Sequence, residues 1–277
     1  PDIIISHVHY YLFRCAKRAA PKSKHIFYFH SSNLGDWNQN EIRFLYSKAD
    51  GIISICNFAF QDAKEKHNLT HPNTEVVYNG VDTNYFSMQK RKENRKLSRL
   101  TYGLNDEDIV ILYAGRIHNS KGISLIIDAF IDCYEINKNL KLIIVGSGHS
   151  KYDDQELANK LIRTSSEIGG GIIKLIDWVD NYEMINIYAL ADISILASLN
   201  AEGNSLFIME SMACGLPVIC TNVGGLTEII TNNKTGILVN KDNLKDELPR
   251  AIERLIEDEP LRVQLGENVN TTDGFEI

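Results

Sequence analysis

Residues 108–122 read Asp108-Ile-Val-Ile-Leu-Tyr-Ala-Gly-Arg-Ile-His-Asn-Ser-Lys-Gly122. The apolar run Ile109–Ala114 does not alternate with polar residues, so both faces of the segment are buried, as in a parallel sheet covered by helices. A glycine and two cations follow at once. From Gly122 the apolar spacing changes to that of a helix over Gly122–Asn137. Strand, glycine-containing turn and helix in that order form half of a βαβ unit.

The same alternation extends in both directions. Downstream, strands are predicted at Ile109–Gly115, Leu140–Val145, Ile172–Leu175, Ile193–Leu196, Pro217–Thr221 and Thr235–Val239. Helices are predicted at Gly122–Asn137, Lys151–Glu167, Asn181–Ala189, Ser205–Ala213, Leu226–Ile230 and Lys245–Glu257. Six strands with intervening helices complete one doubly wound, Rossmann-like domain. Upstream, strands at Ile3–Ser6, His25–His30, Gly51–Ile55 and Glu75–Tyr78 alternate with helices near Tyr10–Ala20, Asn38–Ala49 and Asn57–Lys66. That series is too short for a whole domain and reads as the tail of a second one. The expected class is therefore α/β, with residues 1–86 forming part of one Rossmann-like domain and residues 87–277 forming the other. The polar stretch Ser87–Arg99 carries six basic residues without an apolar period and is read as a linker or the start of a helix.

Composition agrees with this class. The 277 residues are 44% apolar and 23% charged, enough for a sizeable core and not the profile of a disordered chain. The net charge of −7 has the wrong sign for a nucleic-acid partner. No apolar run approaches the roughly 18 residues of a membrane span. The five cysteines, Cys15, Cys56, Cys133, Cys214 and Cys220, have no CxxC spacing and fit reduced thiols in the cytoplasm. The sequons at Asn68, Asn233 and Asn270 carry little weight. The chain begins at Pro1, so a preceding segment is expected and the lack of a secretory signal says little. Tyr10-Tyr-Leu-Phe-Arg14, with Lys17, Arg18, Lys22 and Lys24, is read as an exposed helix. It leaves peripheral contact with the inner face of a membrane open.

Three segments carry candidate chemistry. In Ala201-Glu-Gly-Asn-Ser-Leu-Phe-Ile-Met-Glu-Ser-Met-Ala-Cys-Gly-Leu-Pro217, the Gly203-Asn204-Ser205 turn is expected to cap a helix starting at Leu206. Its free N–H groups suit a phosphate. Glu202 lies before that helix and Glu210 about one turn inside it. A carboxylate suits the vicinal hydroxyls of a ribose or hexose, which present two donors; the competing account is a capped surface helix with two solvated glutamates. Arg116 and Lys121 bracket the strand-to-helix turn and can neutralise a diphosphate. The glycines of Lys141-Leu-Ile-Ile-Val-Gly-Ser-Gly148 allow close approach to a ligand ring. This is not the full GxGxxG fingerprint, which argues against a nicotinamide cofactor.

Together these segments resemble the C-terminal half of the retaining nucleotide-sugar glycosyltransferases of GT-B fold, the group 1 or family 4 type. The likeness also rests on Ala49-Asp-Gly-Ile-Ile-Ser-Ile-Cys-Asn57, Val77-Tyr-Asn-Gly-Val-Asp-Thr83 with Phe86, and Ala189-Leu-Ala-Asp-Ile-Ser194. The Glu-x7-Glu pair, Met212-Ala-Cys-Gly-Leu-Pro-Val218 and Gly224-Gly-Leu-Thr-Glu228 complete it. The resemblance implies that Arg116 and Lys121 hold the donor diphosphate and that Glu210 takes the ribose hydroxyls. Glu202 would bind the donor hexose, with the backbone of Gly203, Asn204, Ser205 and Leu206, while Trp178 and Val179 would meet the base and Gly148 the ligand. His30, at the end of its strand, would face the donor sugar; His7 and His9 are read as structural. Where the family often has an aromatic residue after Gly203, this chain has Asn204.

The implied reaction is transfer of a hexose from a nucleoside diphosphate sugar, a UDP-sugar first, to a hydroxyl of a glycan or lipid-linked acceptor, with retention. A role in surface polysaccharide synthesis follows from the family. No Asp-x-Asp motif lies in a suitable loop, so neither metal nor other cofactor is expected. The alternative is a nucleotide-binding module without turnover, since most of one domain is missing and Glu267–Ile277 lacks the family's long final helix.

Overall fold

The computed structural model describes residues 1–7, 9–30, 38–146 and 154–268. By its contacts the chain groups into two units. The first comprises Pro1–Asn79, Ala201–Ser205 and Val223–Ile229; the second comprises Gly80–Asn200, Leu206–Asn222 and Ile230–Ile277.

The first unit holds β1 (Ile3–His7), α1 (Tyr10–Ala19), β2 (Lys24–Phe29), α2 (Gln39–Lys48), β3 (Gly51–Ser54), α3 (Asn57–His67) and β4 (Thr74–Val76). The strands form one parallel sheet in the order β1-β2-β3-β4. Strand β2 shows why the sheet has a dry side: His25, Phe27 and Phe29 alternate inward. They meet Phe13 of α1 and Ile42 and Leu45 of α2 in a core that excludes water. Helix α2 starts where the Asn38 side chain accepts from the Asn40 N–H. Helix α3 ends where Asn68 turns into the left-handed region at φ 52°.

The second unit runs α4 (Met88–Thr101), β5 (Ile109–Ala114), α5 (Ile123–Ile136), β6 (Leu140–Val145), α6 (Gln155–Ile168), β7 (Ile173–Ile176), α7 (Met184–Leu190), β8 (Ile193–Leu196), α8 (Leu206–Ala213) and β9 (Val218–Thr221). After α9 (Leu226–Ile229), which groups with the first unit, come β10 (Ile237–Val239), α10 (Leu244–Glu257) and α11 (Glu259–Glu267). The parallel sheet is ordered β10-β9-β8-β5-β6-β7. From β5 the chain winds outward through β6 to β7, then returns to the other side of β5 with β8. The winding direction therefore reverses between β5 and β8, and open α/β sheets bind ligands beyond the strand ends at such a reversal. Strands β5 and β8 are buried along nearly their whole length, as their unbroken apolar runs predict.

The stretch Ser87–Arg99, read as a linker or helix start, is a regular helix. Ser87 caps α4 by accepting from the Lys90 N–H at 3.3 Å. The protected positions Met88, Arg91, Asn94, Arg95, Ser98 and Arg99, with Lys90 beside them, are spaced as a helix requires but mostly polar. Their partners lie on and just after α7: Asn94 donates to Asn186, and Arg99 donates to the Leu190 carbonyl. A hydrophobicity period cannot register a helix face built from guanidinium groups.

Candidate functional site in the second unit

At the carboxyl ends of β5 and β6 lies a cleft of ≈ 390 Å³. Its floor is backbone. A Cβ on Gly146 would sit 2.1 Å from the Gly115 carbonyl oxygen, so the strand ends pack at a distance that excludes any side chain there. Trp178 and Val179 follow β7 on one side, and Trp178 is 71% exposed. Leu206 and Phe207, the first turn of α8, open onto the cleft and bring the positive end of that helix with them.

Glu210 and Arg116 supply the charge. Glu210 lines the cleft yet is only 8% exposed, and it accepts a 2.6 Å hydrogen bond from the Tyr188 hydroxyl. Burial pushes the Glu210 carboxyl above the usual range, and the Tyr188 hydrogen bond pulls the other way. Arg116 is exposed at the turn after β5, and among the described residues its guanidinium has no acidic partner. The cleft thus offers a cation, a helix N-terminus, a buried carboxylate and an exposed indole within one volume.

Of the residues singled out from the sequence, Arg116, Trp178, Val179, Leu206 and Glu210 line this cleft. Lys121 ends the short 3-10 turn Asn119–Lys121 and is not part of the lining. Gly148 lies outside the described residues. Glu202, Gly203, Asn204 and Ser205 group with the first unit. There the Glu202 carbonyl accepts from the Gly225 N–H at 2.7 Å. A Cβ on Gly225 would come within 2.4 Å of the Gly203 carbonyl. Asn204 is 5% exposed and, among the described residues, its side-chain amide has no partner.

His30, also in the first unit, stands beside His7. His7 at the end of β1 and His30 after β2 are 2.7 Å apart at Nδ1 and Nε2, and Tyr28 packs on both rings. Burial, then the charge of His7, holds the His30 imidazole below its usual value. In the same unit Glu228 caps α3. It accepts from the Asn57 and Phe58 N–H groups at 2.9 and 2.8 Å and from the Tyr78 hydroxyl at 2.9 Å. Burial and that carboxylate push Tyr78 up to about 12. Tyr188 is the cleft residue that sequence reasoning missed; its signal, an aromatic inside an apolar helix, is that of any core position.

A parallel α/β unit with a charged, ligand-sized cleft at the carboxyl ends of its strands has the architecture in which such proteins hold small ligands. More specifically, the chain belongs to the glycosyl transferases group 1 family, whose model matches residues 90–272; the glycosyltransferase family 4 model matches residues 1–85. It is 25% identical over 272 residues to the lipopolysaccharide 1,2-N-acetylglucosaminetransferase of Salmonella typhimurium, covering 98% of this chain and 67% of that one. It is 30% identical over 202 residues to the capsular polysaccharide biosynthesis glycosyltransferase CapM of Staphylococcus aureus, covering 73% and 51%. The crystal structure of Anabaena Alr3699/HepE in complex with UDP-glucose superposes with a TM-score of 0.82 at 21% identity, over 98% of this chain and 73% of that one. The fold is accordingly α/β with two parallel sheets, of the GT-B kind. The chain spans from about half to two thirds of the length of the curated relatives it matches.

Proposed function

We propose that the protein transfers a hexose from a nucleoside diphosphate sugar, a UDP-sugar first, to a hydroxyl of a glycan or lipid-linked acceptor, retaining anomeric configuration. The observation that carries the reading is the second unit's cleft, where the buried Glu210 carboxylate and the exposed Arg116 guanidinium line the same volume as the first turn of α8. Family membership supports it, as does the UDP-glucose in the similar Anabaena structure. The similarity to lipopolysaccharide and capsule transferases supports a place in surface polysaccharide synthesis.

In this reading residues 87–277 are the donor-side domain and residues 1–86 the acceptor-side portion. Arg116, with Lys121 and the N-terminus of α8, stabilises the diphosphate as the bond from the anomeric carbon to its oxygen breaks. The acceptor oxygen bonds to that carbon on the same face, and its proton passes to the departing phosphate. Neither a protein nucleophile nor a metal has a part. Glu210 holds the ribose hydroxyls and Val179 meets the base. Glu202, the Gly203–Leu206 backbone and His30 are assigned to the hexose on the sequence motif alone. No described helix is long and apolar enough to cross a membrane. We assign the reaction to the cytoplasm, and exposed Tyr11 and Leu12 of α1 support peripheral contact with the inner membrane face.

The test is calorimetric titration with UDP, GDP and ADP, repeated on Glu210→Ala. The reading requires micromolar binding of one nucleotide, weakened about tenfold or more in the variant, since hydrogen bonds to a charged group contribute about 1.5–3 kcal/mol. If no nucleotide binds, the donor-site assignment fails. Sugar release that requires an acceptor then separates an enzyme from a module that binds without turnover.

A further inference from the structure

We propose that Tyr188 is a positioning residue of the donor site, its hydroxyl setting the Glu210 carboxylate in the rotation at which it receives a vicinal diol. The inference rests on the donor-site reading above.

Three observations carry it. First, the ring has little freedom: Tyr188 is fully buried, Phe207 stacks over it at 6.3 Å and 20°, and Phe86 meets it edge-on at 5.8 Å and 85°. The hydroxyl is therefore fixed in place by packing. Second, that hydroxyl donates to Glu210 Oε2 at 2.6 Å, the short distance of a bond to an ionised acceptor. Third, it is the only hydrogen bond the Glu210 carboxylate makes among the described residues. A carboxylate has about four acceptor positions, and leaving most of them empty in a buried place is unfavourable unless a ligand fills them. What fits is a neutral group with two adjacent O–H donors, because a phosphate would be repelled. Tyr188 anchors one oxygen and thereby fixes the carboxylate plane, so the ordering cost is met before the ligand arrives.

The experiment titrates wild type, Tyr188→Phe, Glu210→Gln and the double variant with UDP, GDP and ADP, and with the 2′-deoxy and 3′-deoxy forms of whichever nucleotide binds. Thermal melting is followed in parallel to register folding. Wild type is expected to prefer the ribonucleotide about tenfold, the size of one hydrogen bond to a charged group. Tyr188→Phe, which keeps the ring and its packing, lowers that preference to about two- to threefold, and the double variant is no weaker than Glu210→Gln alone because both act through one contact. Undiminished preference in Tyr188→Phe overturns the inference, as does equal loss for ribo- and deoxynucleotides, which marks packing alone. If wild type binds no nucleotide, or shows no ribose preference, the donor-site reading itself falls and takes this inference with it.

Discussion

Glu210 is pulled in two directions by its surroundings. Burial favours the neutral carboxyl, the Tyr188 hydrogen bond favours the anion, and burial is the larger effect, so the group titrates above the usual 4.5. For a raised carboxyl the folded state favours the proton. The stabilisation is therefore full on the acid side and is lost as pH rises through the raised value. Binding has the opposite sign, because a diol donates to the anion. The other ionisable groups at this place are Tyr188, which burial pushes well up, the Cys214 thiol, pushed up to about 12 by burial, and Arg116 of the cleft lining. Neither Tyr188 nor Cys214 titrates between pH 7 and 4. The ratio of nucleotide affinities, wild type over Glu210→Gln, should thus fall on acidification with a midpoint above 4.5. Taking the ratio cancels the nucleotide's own phosphate, which titrates near pH 6. Calorimetry at half-unit steps measures it, and a ratio flat from pH 7 down to 4.5 would remove Glu210 from the binding machinery.

At the scale of elements, α4 is held by an ion network rather than by apolar area. Asp192, just before β8, accepts from Arg95 at 2.6 Å, Arg99 at 2.9 Å and the Val110 N–H at 2.9 Å. Arg99 is 3% exposed and also donates to the carbonyls of Leu190, Asn105, Asp106 and Asp108. Removing one partner of a buried pair strands the other charge, so Asp192→Ala should cost about 3–5 kcal/mol in urea denaturation. Lys138→Ala, which breaks an exposed pair with Glu135, should cost under about 1 kcal/mol. Equal losses would mean that the network adds nothing beyond surface charge. The same helix shows where the sequence stops being legible. Strands β6 and β8 have the bounds that their Ile- and Val-rich runs predict, because burial on both faces leaves only apolar residues. Helix α4 hides its period in arginines, and α11 went unread because its protected positions follow a proline in a largely polar stretch. At the site, Glu210 and Arg116 were legible from the turns that present them. Tyr188 was not, since its meaning lies in a hydroxyl 22 residues from its partner, and His7 gains its meaning only from His30 across the strand pair.

For the whole molecule, the candidate donor cleft is lined entirely by residues of the second unit, while the β1–β4 sheet belongs to the first. A ligand stabilises what it binds by mass action, about 2.7 kcal/mol at a concentration one hundred times its Kd. That free energy appears as slower amide exchange wherever opening destroys the cleft. Saturation with the nucleotide that binds should therefore slow exchange in β5, β6 and α8, whose ends form the cleft, and next in the strands paired with them. Amides of β1–β4 serve as the internal reference and should change far less. Hydrogen exchange read by mass spectrometry resolves the two sheets by peptide. In Glu210→Ala at the same nucleotide concentration the protection of β5, β6 and α8 should shrink, because occupancy falls. Protection spread evenly over both sheets, or undiminished in the variant, would place the bound nucleotide somewhere other than the cleft beneath Glu210.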